Sequence, residues 1–177
     1  TLGILGMGRI GQAVARRALG FDMQVIYHNR SRLPEDKEAA CRARWVDKQT
    51  LLREADFLVL LLPYSAESHH IIGAAELAQM KPTAHLINVA RGGIVDDAAL
   101  ISALRQRRLS GAALDVFEGE PKLNPGFLEL DNVTLTPHIG SGSRATRMAM
   151  AMTAANNLIA ALSGQRPPNL LNPDAWK

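Results

Sequence analysis

The stretch Leu2-Gly3-Ile4-Leu5-Gly6-Met7-Gly8-Arg9-Ile10-Gly11 decides the fold of this protein. It begins as an apolar run of strand length, and residues 9–19 then have the period of an amphipathic helix. We expect Ile10, Val14 and Leu19 to face the sheet. The three glycines between strand and helix predict a tight turn, a close backbone approach to a diphosphate, and close packing of helix on strand.

The same turn predicts an anion site, because backbone amides and the positive end of a helix dipole attract negative charge. A glycine-rich turn without a ligand is the plainer alternative. The context of strand, turn and helix favours a bound dinucleotide over that alternative, since three glycines at this spacing serve a backbone purpose.

Outward from the turn, apolar runs of strand length alternate with stretches of helical period. The predicted strands are about 2–6, 24–28, 57–62, 84–89, 111–115 and 133–136, and the predicted helices are about 9–19, 47–54, 74–80, 97–107 and 142–163. Nearly continuous apolar strands are typical of sheets covered on both faces. The pattern predicts an α/β fold with a doubly wound parallel sheet, a dinucleotide-binding domain over residues 1–163, and an extended tail over 164–177.

Composition narrows the class of protein. The 177 residues are 47% hydrophobic and 21% charged, as in an ordinary globular domain. A net charge of +3 and 5% aromatic residues argue against nucleic acid as a partner. The longest apolar run, Phe57 to Pro63, is too short to span a membrane, so we expect a cytoplasmic protein. Cys41 is the single cysteine, which excludes a disulfide within the chain and a cysteine-based zinc site.

The end of the second predicted strand indicates which dinucleotide binds. A domain specific for NAD carries Asp or Glu about 20 residues after the turn, where the carboxylate binds the ribose hydroxyls. Here Asn29-Arg30-Ser31-Arg32 stands at that place. Arginine can bind a 2′-phosphate through two charge-assisted hydrogen bonds, so NADP(H) is preferred and NAD(H) stays possible. Solvated loop charges with weak discrimination are the alternative.

Three further segments follow predicted strands, at the edge where open parallel sheets bind ligands. They are Asn88 to Asp96, Ala113 to Pro121 and Thr136 to Ser141, and they supply one arginine, several acids and one histidine. With the glycine turn, these motifs match in order and spacing the D-isomer-specific 2-hydroxyacid dehydrogenase family, which the chain resembles over residues 1–165. Within it the chain is most similar to glyoxylate/hydroxypyruvate reductases that also act on 2-ketogluconate, on the evidence of Asn29-Arg30 and Asn172-Pro173.

The resemblance implies an activity and three catalytic residues. The expected reaction is the NADP(H)-dependent reduction of a short 2-keto acid, which needs a proton donor at the keto oxygen and a cation for the substrate carboxylate. His138 would be the acid/base, Glu120 would orient its ring, and Arg91 would bind the substrate. Singly, each of these residues has a plainer structural interpretation, and their joint occurrence favours the chemical one.

Cofactor contacts are implied in the same way. Asp115 would accept a hydrogen bond from the nicotinamide carboxamide. The full predicted set is Gly6, Gly8, Arg9, Ile10, Gly11, Asn29, Arg30, Ser31, Arg32, Leu62, Pro63, Val89, Ala90, Arg91, Asp115, His138 and Gly140. Glu118 is predicted to be solvated, and His69 and His70 to be surface side chains, so no metal site is expected.

The family builds its substrate domain from the chain before the glycine turn together with the extreme C-terminus, whereas Thr1 already lies inside a strand. We therefore expect a cofactor-binding piece of a longer protein, with the last helix leading back to a substrate domain, and a homodimer. Two alternatives stay open: a dinucleotide-sensing binding protein similar to co-repressors of this fold, and a catalytically inactive cofactor-binding fragment.

Overall fold

Seven strands form one parallel sheet in the computed structural model, which describes residues 1–176. They are β1 Leu2–Leu5, β2 Val25–His28, β3 Ala43–Trp45, β4 Phe57–Leu60, β5 His85–Asn88, β6 Gly111–Leu114 and β7 Val133–Leu135. Their order in the sheet is β3-β2-β1-β4-β5-β6-β7, and every neighbouring pair is parallel. The predicted doubly wound α/β fold is confirmed.

Helices cover both faces of this sheet. They are α1 Arg9–Ala18, α2 Glu35–Cys41, α3 Lys48–Glu54, α4 Ala74–Leu77 and α5 Asp97–Arg105; a further helix, α6 Arg144–Leu162, follows later in the chain. Alternate strand residues enter two separate cores: Ile4 packs with residues of α1 and α2, whereas Leu5 packs with residues of α3, α4 and α5. Burial on both faces explains why the strands read as continuous apolar runs.

The sheet order creates a crevice between β1 and β4. From β1 the chain proceeds through β2 to β3 on one side, and then returns to β4 on the other side of β1. The connections that leave the carboxyl ends of β1 and β4 therefore diverge, and this divergence is the position at which open α/β sheets bind ligands.

Strand β3 and helix α2 are absent from the sequence prediction. Helix α2 has the sequence EDKEAAC and buries only Glu38 and Cys41, so it has no apolar stripe of helical period. Strand β3 is three residues long at the sheet edge and carries Arg44 in its centre. Neither element could therefore be recognised from hydrophobic periodicity.

The predicted inner face of α1 is also wrong at one position. Ile10 is 66% exposed, and the residues that α1 buries are Gly11, Ala15 and Ala18. Small residues occupy this face because the helix begins directly against the turn: a Cβ on Gly11 would lie 2.5 Å from the carbonyl oxygen of Gly6. Close approach of helix and sheet leaves the bulky Ile10 on the outer side.

The chain divides into two compact units, Thr1–His138 and the residues from Ile139 onward. The second unit contains α6, which begins after Ser143, whose hydroxyl accepts a hydrogen bond from the amide of Thr146. Asn157 of α6 exchanges two hydrogen bonds with Asn169. The predicted extended tail is wrong in one part, because Pro173–Ala175 form a 3-10 helix. The domain boundary at residue 163 stays a prediction.

Candidate active site

The glycine turn between β1 and α1 is a backbone structure that side chains would block. Gly6 has φ +104°, and a Cβ there would lie 2.6 Å from the amide nitrogen of Leu62. Gly8 differs, because a Cβ on it would meet no atom within 4 Å. Gly8 is also the N-cap of α1, whose first turn has no side-chain cap and no acidic residue. The turn therefore offers helix-terminal amides beside open space, an arrangement that fits a diphosphate.

A cavity of about 420 Å³ lies beside this turn, between it and the loops that follow β2 and β4. We name it the glycine pocket. Its lining includes Gly6, Gly8, Asn29, Arg30, Ser31, Leu61, Leu62, Pro63 and Glu67.

The four residues predicted to select the cofactor are placed differently from one another. Asn29 accepts a hydrogen bond from the amide of Met7 at 2.7 Å, so its side chain supports the glycine turn. Arg30 and Ser31 line the glycine pocket with Asn29. The guanidinium of Arg32 instead donates two hydrogen bonds to Glu38, at 2.9 and 2.7 Å.

Glu38 connects Arg32 to the buried Tyr27. The Tyr27 hydroxyl donates to Glu38 at 2.6 Å, and burial together with this carboxylate raises the pKa of Tyr27 to about 12. The hydrogen bonds from Arg32 and Tyr27 lower the pKa of Glu38. Because Glu38 accepts hydrogen bonds from both Nη2 and Nε of Arg32, this guanidinium faces α2.

Sequence reasoning missed Glu67, an acid in the glycine pocket. Its carboxylate accepts a hydrogen bond from the Ser65 hydroxyl at 2.7 Å. That bond, together with the positive charge of Arg30, lowers the pKa of Glu67. The pocket thus contains an arginine with an acidic neighbour, which no local motif indicates.

A second cavity, of about 870 Å³, shares Leu61, Leu62 and Pro63 with the first. We name it the histidine pocket. Its lining includes Ile10, Tyr64, His69, Val89, Ala90, Arg91, Gly92, Gly93, Phe117, Glu118, Glu120 and His138. The structure therefore brings the three predicted catalytic residues together, although they follow three different strands.

Arg91 is held in a turn after β5. The buried Asn88 side chain accepts from the amide of Ala90 at 3.1 Å and donates to the carbonyl of Arg91 at 3.1 Å. A cation is thereby positioned on the pocket wall by a satisfied buried amide.

His138 and Glu120 are hydrogen-bonded to each other. Nδ1 of His138 lies 2.8 Å from Oε2 of Glu120, and Oε1 of Glu120 accepts from the amide of Phe117 at 2.9 Å. Partial burial opposes ionisation of Glu120, but the hydrogen bonds from His138 and Phe117 outweigh it and lower the pKa of Glu120. The Glu120 carboxylate contacts the Nδ1 atom of the His138 ring, and the other ring nitrogen is Nε2.

Five predicted cofactor residues lie outside the lining of both pockets, namely Arg9, Gly11, Arg32, Asp115 and Gly140. Asp115 is buried, and its Oδ1 accepts a hydrogen bond from the Thr136 hydroxyl at 2.5 Å. Gly140 lies in the second unit. Their contacts with a cofactor stay predictions, as does that of Arg9, which is exposed at the start of α1.

The predicted solvation of Glu118 is wrong. Its carboxylate contacts Nε2 of His70 at 2.5 Å and is half-buried. His70 stacks on His69 with ring centroids 3.9 Å apart, and Nδ1 of His69 contacts the Tyr64 hydroxyl at 3.1 Å. Since 48 residues separate His70 from Glu118, no local spacing could have indicated their contact.

Metal-ligand atoms of His69, His70 and Glu118 lie within 4.8 Å of one another. Among residues 1–176, these three side chains are the group that could hold a cation. In this structure the imidazole nitrogen of His70 and the carboxylate of Glu118 bind each other instead. Among residues 1–176, no helix has the length and apolar character needed to cross a membrane.

Comparison with known proteins places the chain among dehydrogenases. The profile described as D-isomer specific 2-hydroxyacid dehydrogenase, NAD binding domain, matches residues 1–140. A glyoxylate reductase from Thermococcus litoralis is 52% identical over 174 residues, which are 98% of this chain and 52% of that protein. A glyoxylate/hydroxypyruvate reductase B from Pectobacterium atrosepticum is 51% identical over 179 residues, covering all of this chain and 56% of that protein.

A solved structure extends the similarity to three dimensions. The NADPH-dependent glyoxylate/hydroxypyruvate reductase from Sinorhizobium meliloti, in complex with NADP and malonate, matches with a TM-score of 0.86 and 36% identity. The match covers 92% of this chain and 50% of that one. The chain spans about half the length of the curated relatives it matches.

Proposed function

This chain belongs to the D-isomer specific 2-hydroxyacid dehydrogenase family, and we propose that in its protein it binds NADP(H) for the reduction of a short 2-keto acid to the D-2-hydroxy acid. Glyoxylate and hydroxypyruvate are the proposed substrates, and 2-ketogluconate is a third candidate. One observation carries the proposal: the His138–Glu120 pair and Arg91 line a pocket that shares a wall with the pocket beside the glycine turn. Residues 1–163 would form the cofactor domain, 164–177 its tail, and the protein a homodimer.

The glycine turn would hold the diphosphate of the cofactor. Gly8 supports this role, because its Cα faces space that a phosphate oxygen can enter, and the amides at the start of α1 point their positive ends there. When bound, the nicotinamide supplies the hydride. The apolar wall of Leu62, Pro63, Val89 and Ala90 would exclude water from the side on which the ring lies.

Arg30 is the proposed ligand of the 2′-phosphate of NADP. It lines the glycine pocket with Ser31, and no acid stands at Asn29 to repel a phosphate. Arg32 has the smaller role in this proposal, because Glu38 already binds its guanidinium through two hydrogen bonds. The carboxylate of Glu67 reduces the positive potential near Arg30, so we expect a preference for NADP(H) and residual use of NAD(H).

Arg91 and His138 would divide the work on the keto acid. Arg91 presents a planar, permanently charged group to the substrate carboxylate. His138 would donate a proton to the keto oxygen as negative charge develops there, and remove it in the reverse direction. Glu120 would hold the ring through Nδ1, so that Nε2 carries the transferred proton. Asp115 would orient the carboxamide of the nicotinamide.

The proposal is tested by mixing the protein from its complete reading frame with glyoxylate and with hydroxypyruvate, and following NADPH absorbance. We expect consumption of NADPH, slower consumption of NADH, and loss of keto-acid saturation in Arg91→Ala. Arg105→Ala is the matched control. It removes the guanidinium of Arg105, at the end of α5, which forms an exposed ion pair with Glu129. Binding of NADPH without turnover would overturn the reductase activity and support the dinucleotide-sensing alternative.

A further inference from the structure

Glu118 joins three parts of the chain that are distant in sequence. Its Oε1 accepts a hydrogen bond from Nε2 of His70, in the loop after β4. Its Oε2 accepts from the amide of Asp97 at 3.4 Å, in the first turn of α5. The amide of Glu118 in turn donates to Oδ2 of Asp97 at 3.1 Å. The segment Phe117 to Glu120 is therefore anchored at its second residue from two directions.

The two anchors are themselves held in place. The amide of His70 donates to the carbonyl of Gly93 at 2.8 Å, and His70 has the left-handed backbone angle φ +50°. Asp97 is buried, with 5% of its surface exposed. Gly92, in the turn that carries Arg91, packs closely against the backbone of Phe117, since a Cβ on Gly92 would overlap the Phe117 carbonyl oxygen.

The anchored segment carries the carboxylate that meets the histidine. Glu120 follows Glu118 by two residues, and its side chain accepts from the amide of Phe117 while it contacts His138. The Glu120 side chain is 34% exposed, so its own surroundings restrict it only in part. An exposed carboxylate loses its partner readily unless the backbone that carries it is rigid, because holding the pair costs side-chain entropy.

We propose that His70 and Asp97 are positioning residues which, through Glu118, fix the segment Phe117 to Glu120 so that Glu120 remains against His138. The inference rests on the proposed function, in which His138 transfers the proton. It assigns a role to a histidine and a buried acid whose hydrogen bonds are made to Glu118 and not to any of the three predicted catalytic side chains.

Charge in the network is consistent with this role. Burial raises the pKa of Asp97 to about 6. The hydrogen bond from the Glu118 amide and the nearby His70 oppose this increase, and the carboxylates of Glu118 and Asp96 add to it. His70 thus places a ring N–H against Glu118 where two further carboxylates lie nearby. His138 and the Phe117 amide lower the pKa of Glu120, and Asp115 opposes them. In this proposal His70 acts on Glu120 through the backbone of the anchored segment.

The test compares His70→Ala, His70→Gln and the control Arg105→Ala in the protein from its complete reading frame. In His70→Ala we expect kcat to fall about 10- to 100-fold, as displaced catalytic groups do, with the KM for NADPH unchanged. Because Glu120 would lose hydrogen bonds that favour its ionised form, its pKa should rise, and the acid limb of kcat/KM should move to higher pH. Carboxyl-carbon NMR of Glu120 measures this pKa without turnover.

His70→Gln should restore most of the rate, since its amide can donate to Glu118. Folded His70→Ala with an unchanged Glu120 pKa and pH profile would overturn the inference. If His70→Ala does not fold, His70→Phe keeps the ring on His69 without a donor and is expected to show the same losses; a wild-type profile there would overturn the inference equally. Absence of turnover in the unmodified protein would reject the proposed function, while the Glu120 titration would still decide the positioning role.

Discussion

The glycine pocket and the histidine pocket lie side by side but are built on opposite principles. In the glycine pocket the decisive feature is missing side chains: Gly6 and Gly11 stand where a Cβ would collide with backbone, and Gly8 where it would enter open space. In the histidine pocket the decisive features are side chains, Arg91, Glu120 and His138, delivered by three strand ends. A site made of backbone tolerates changes around it but no added atoms, whereas a site made of side chains depends on everything that orients them.

The two pockets also differ in how they treat charge. Arg30 lines the glycine pocket, whereas the nearby Arg32 lies outside its lining with its guanidinium bound to Glu38. At the histidine pocket, the partly exposed Glu120 contacts His138. The buried Asp97 accepts a hydrogen bond from the Glu118 amide. The first arrangement leaves one guanidinium, that of Arg30, on the pocket wall. The second holds the proposed proton donor, His138, against an ordered carboxylate.

The largest effect should come from the histidine pocket. His138→Ala removes the proposed acid/base and should lower kcat by about 10²- to 10⁴-fold, the usual scale for proton transfer by a positioned side chain. Affinity for NADPH should change little, because the glycine turn is untouched. Rates and calorimetric titrations measure the two quantities. A His138→Ala protein with the rate of the unmodified protein would remove the histidine pocket from the reaction.

The buried acid behind this pocket should make stability depend on pH. Burial raises the pKa of Asp97 from 3.8 to about 6, so between these values the folded protein binds a proton that the unfolded chain releases. The corresponding stability is fully present below pH 3.8 and lost as pH rises through about 6. A pKa difference of about two between the folded and unfolded states corresponds to roughly 3 kcal/mol in the free energy of unfolding.

Asp97→Asn should abolish this loss while keeping an oxygen that accepts from the Glu118 amide. Denaturant unfolding at several pH values between these limits checks it, with the exposed Asp131→Asn as the control. If Asp97→Asn and the unmodified protein lose the same stability over that interval, Asp97 is not the titrating group.

In the glycine pocket, two alanines should separate binding from folding. Gly8→Ala adds a methyl group where no protein atom lies within 4 Å, so thermal unfolding should be unchanged. The same methyl group should displace the diphosphate and cost about 2 kcal/mol, or about 30-fold in the Kd for NADPH. Gly11→Ala should instead lower stability, since its Cβ would lie 2.5 Å from the Gly6 oxygen. Equal NADPH binding by Gly8→Ala and the unmodified chain would contradict a diphosphate at this turn.

The smallest effect should be on the choice of cofactor. Asn29→Asp combined with Arg30→Ala adds repulsion and removes the proposed 2′-phosphate ligand, while the new carboxylate can still accept from the Met7 amide. The ratio of NADPH to NADH affinity should shift about tenfold toward NADH. Arg32→Ala is the matched comparison and should shift the ratio less, because Glu38 already holds that guanidinium. A larger shift in Arg32→Ala would reverse the assignment.

Sequence patterns predicted most of the fold and failed at particular elements. The six strands with apolar runs are present, but β3 and α2 carry too few apolar residues to be seen. The helical period predicts that Ile10 faces the sheet, but the close approach of Gly11 to Gly6 decides which face of α1 meets the sheet. Periodicity identifies an amphipathic helix. The rotation of that helix about its axis is fixed by the closest contact that it makes with the sheet.

For the candidate site, local motifs identified residues but not their partners. Arg91, Glu120 and His138 were predicted and are brought together, whereas the partners of Arg32 and Glu118 were not foreseen. The contact of Glu118 with His70 spans 48 residues, and that with Asp97 spans 21. Such pairs form because adjacent parallel strands end at one edge of the sheet.

By itself, the sequence determined the elements whose cause is local: apolar strands, the helix starts at Arg9 and Asp97, and a turn in which glycine is the residue that fits. Tertiary structure alone decided which charges face a ligand and which face each other. The reason is that backbone conformation and steric exclusion act over a few neighbouring residues, whereas the hydrogen bonds of Arg32, Glu118 and Asp97 depend on where strands and helices place distant side chains.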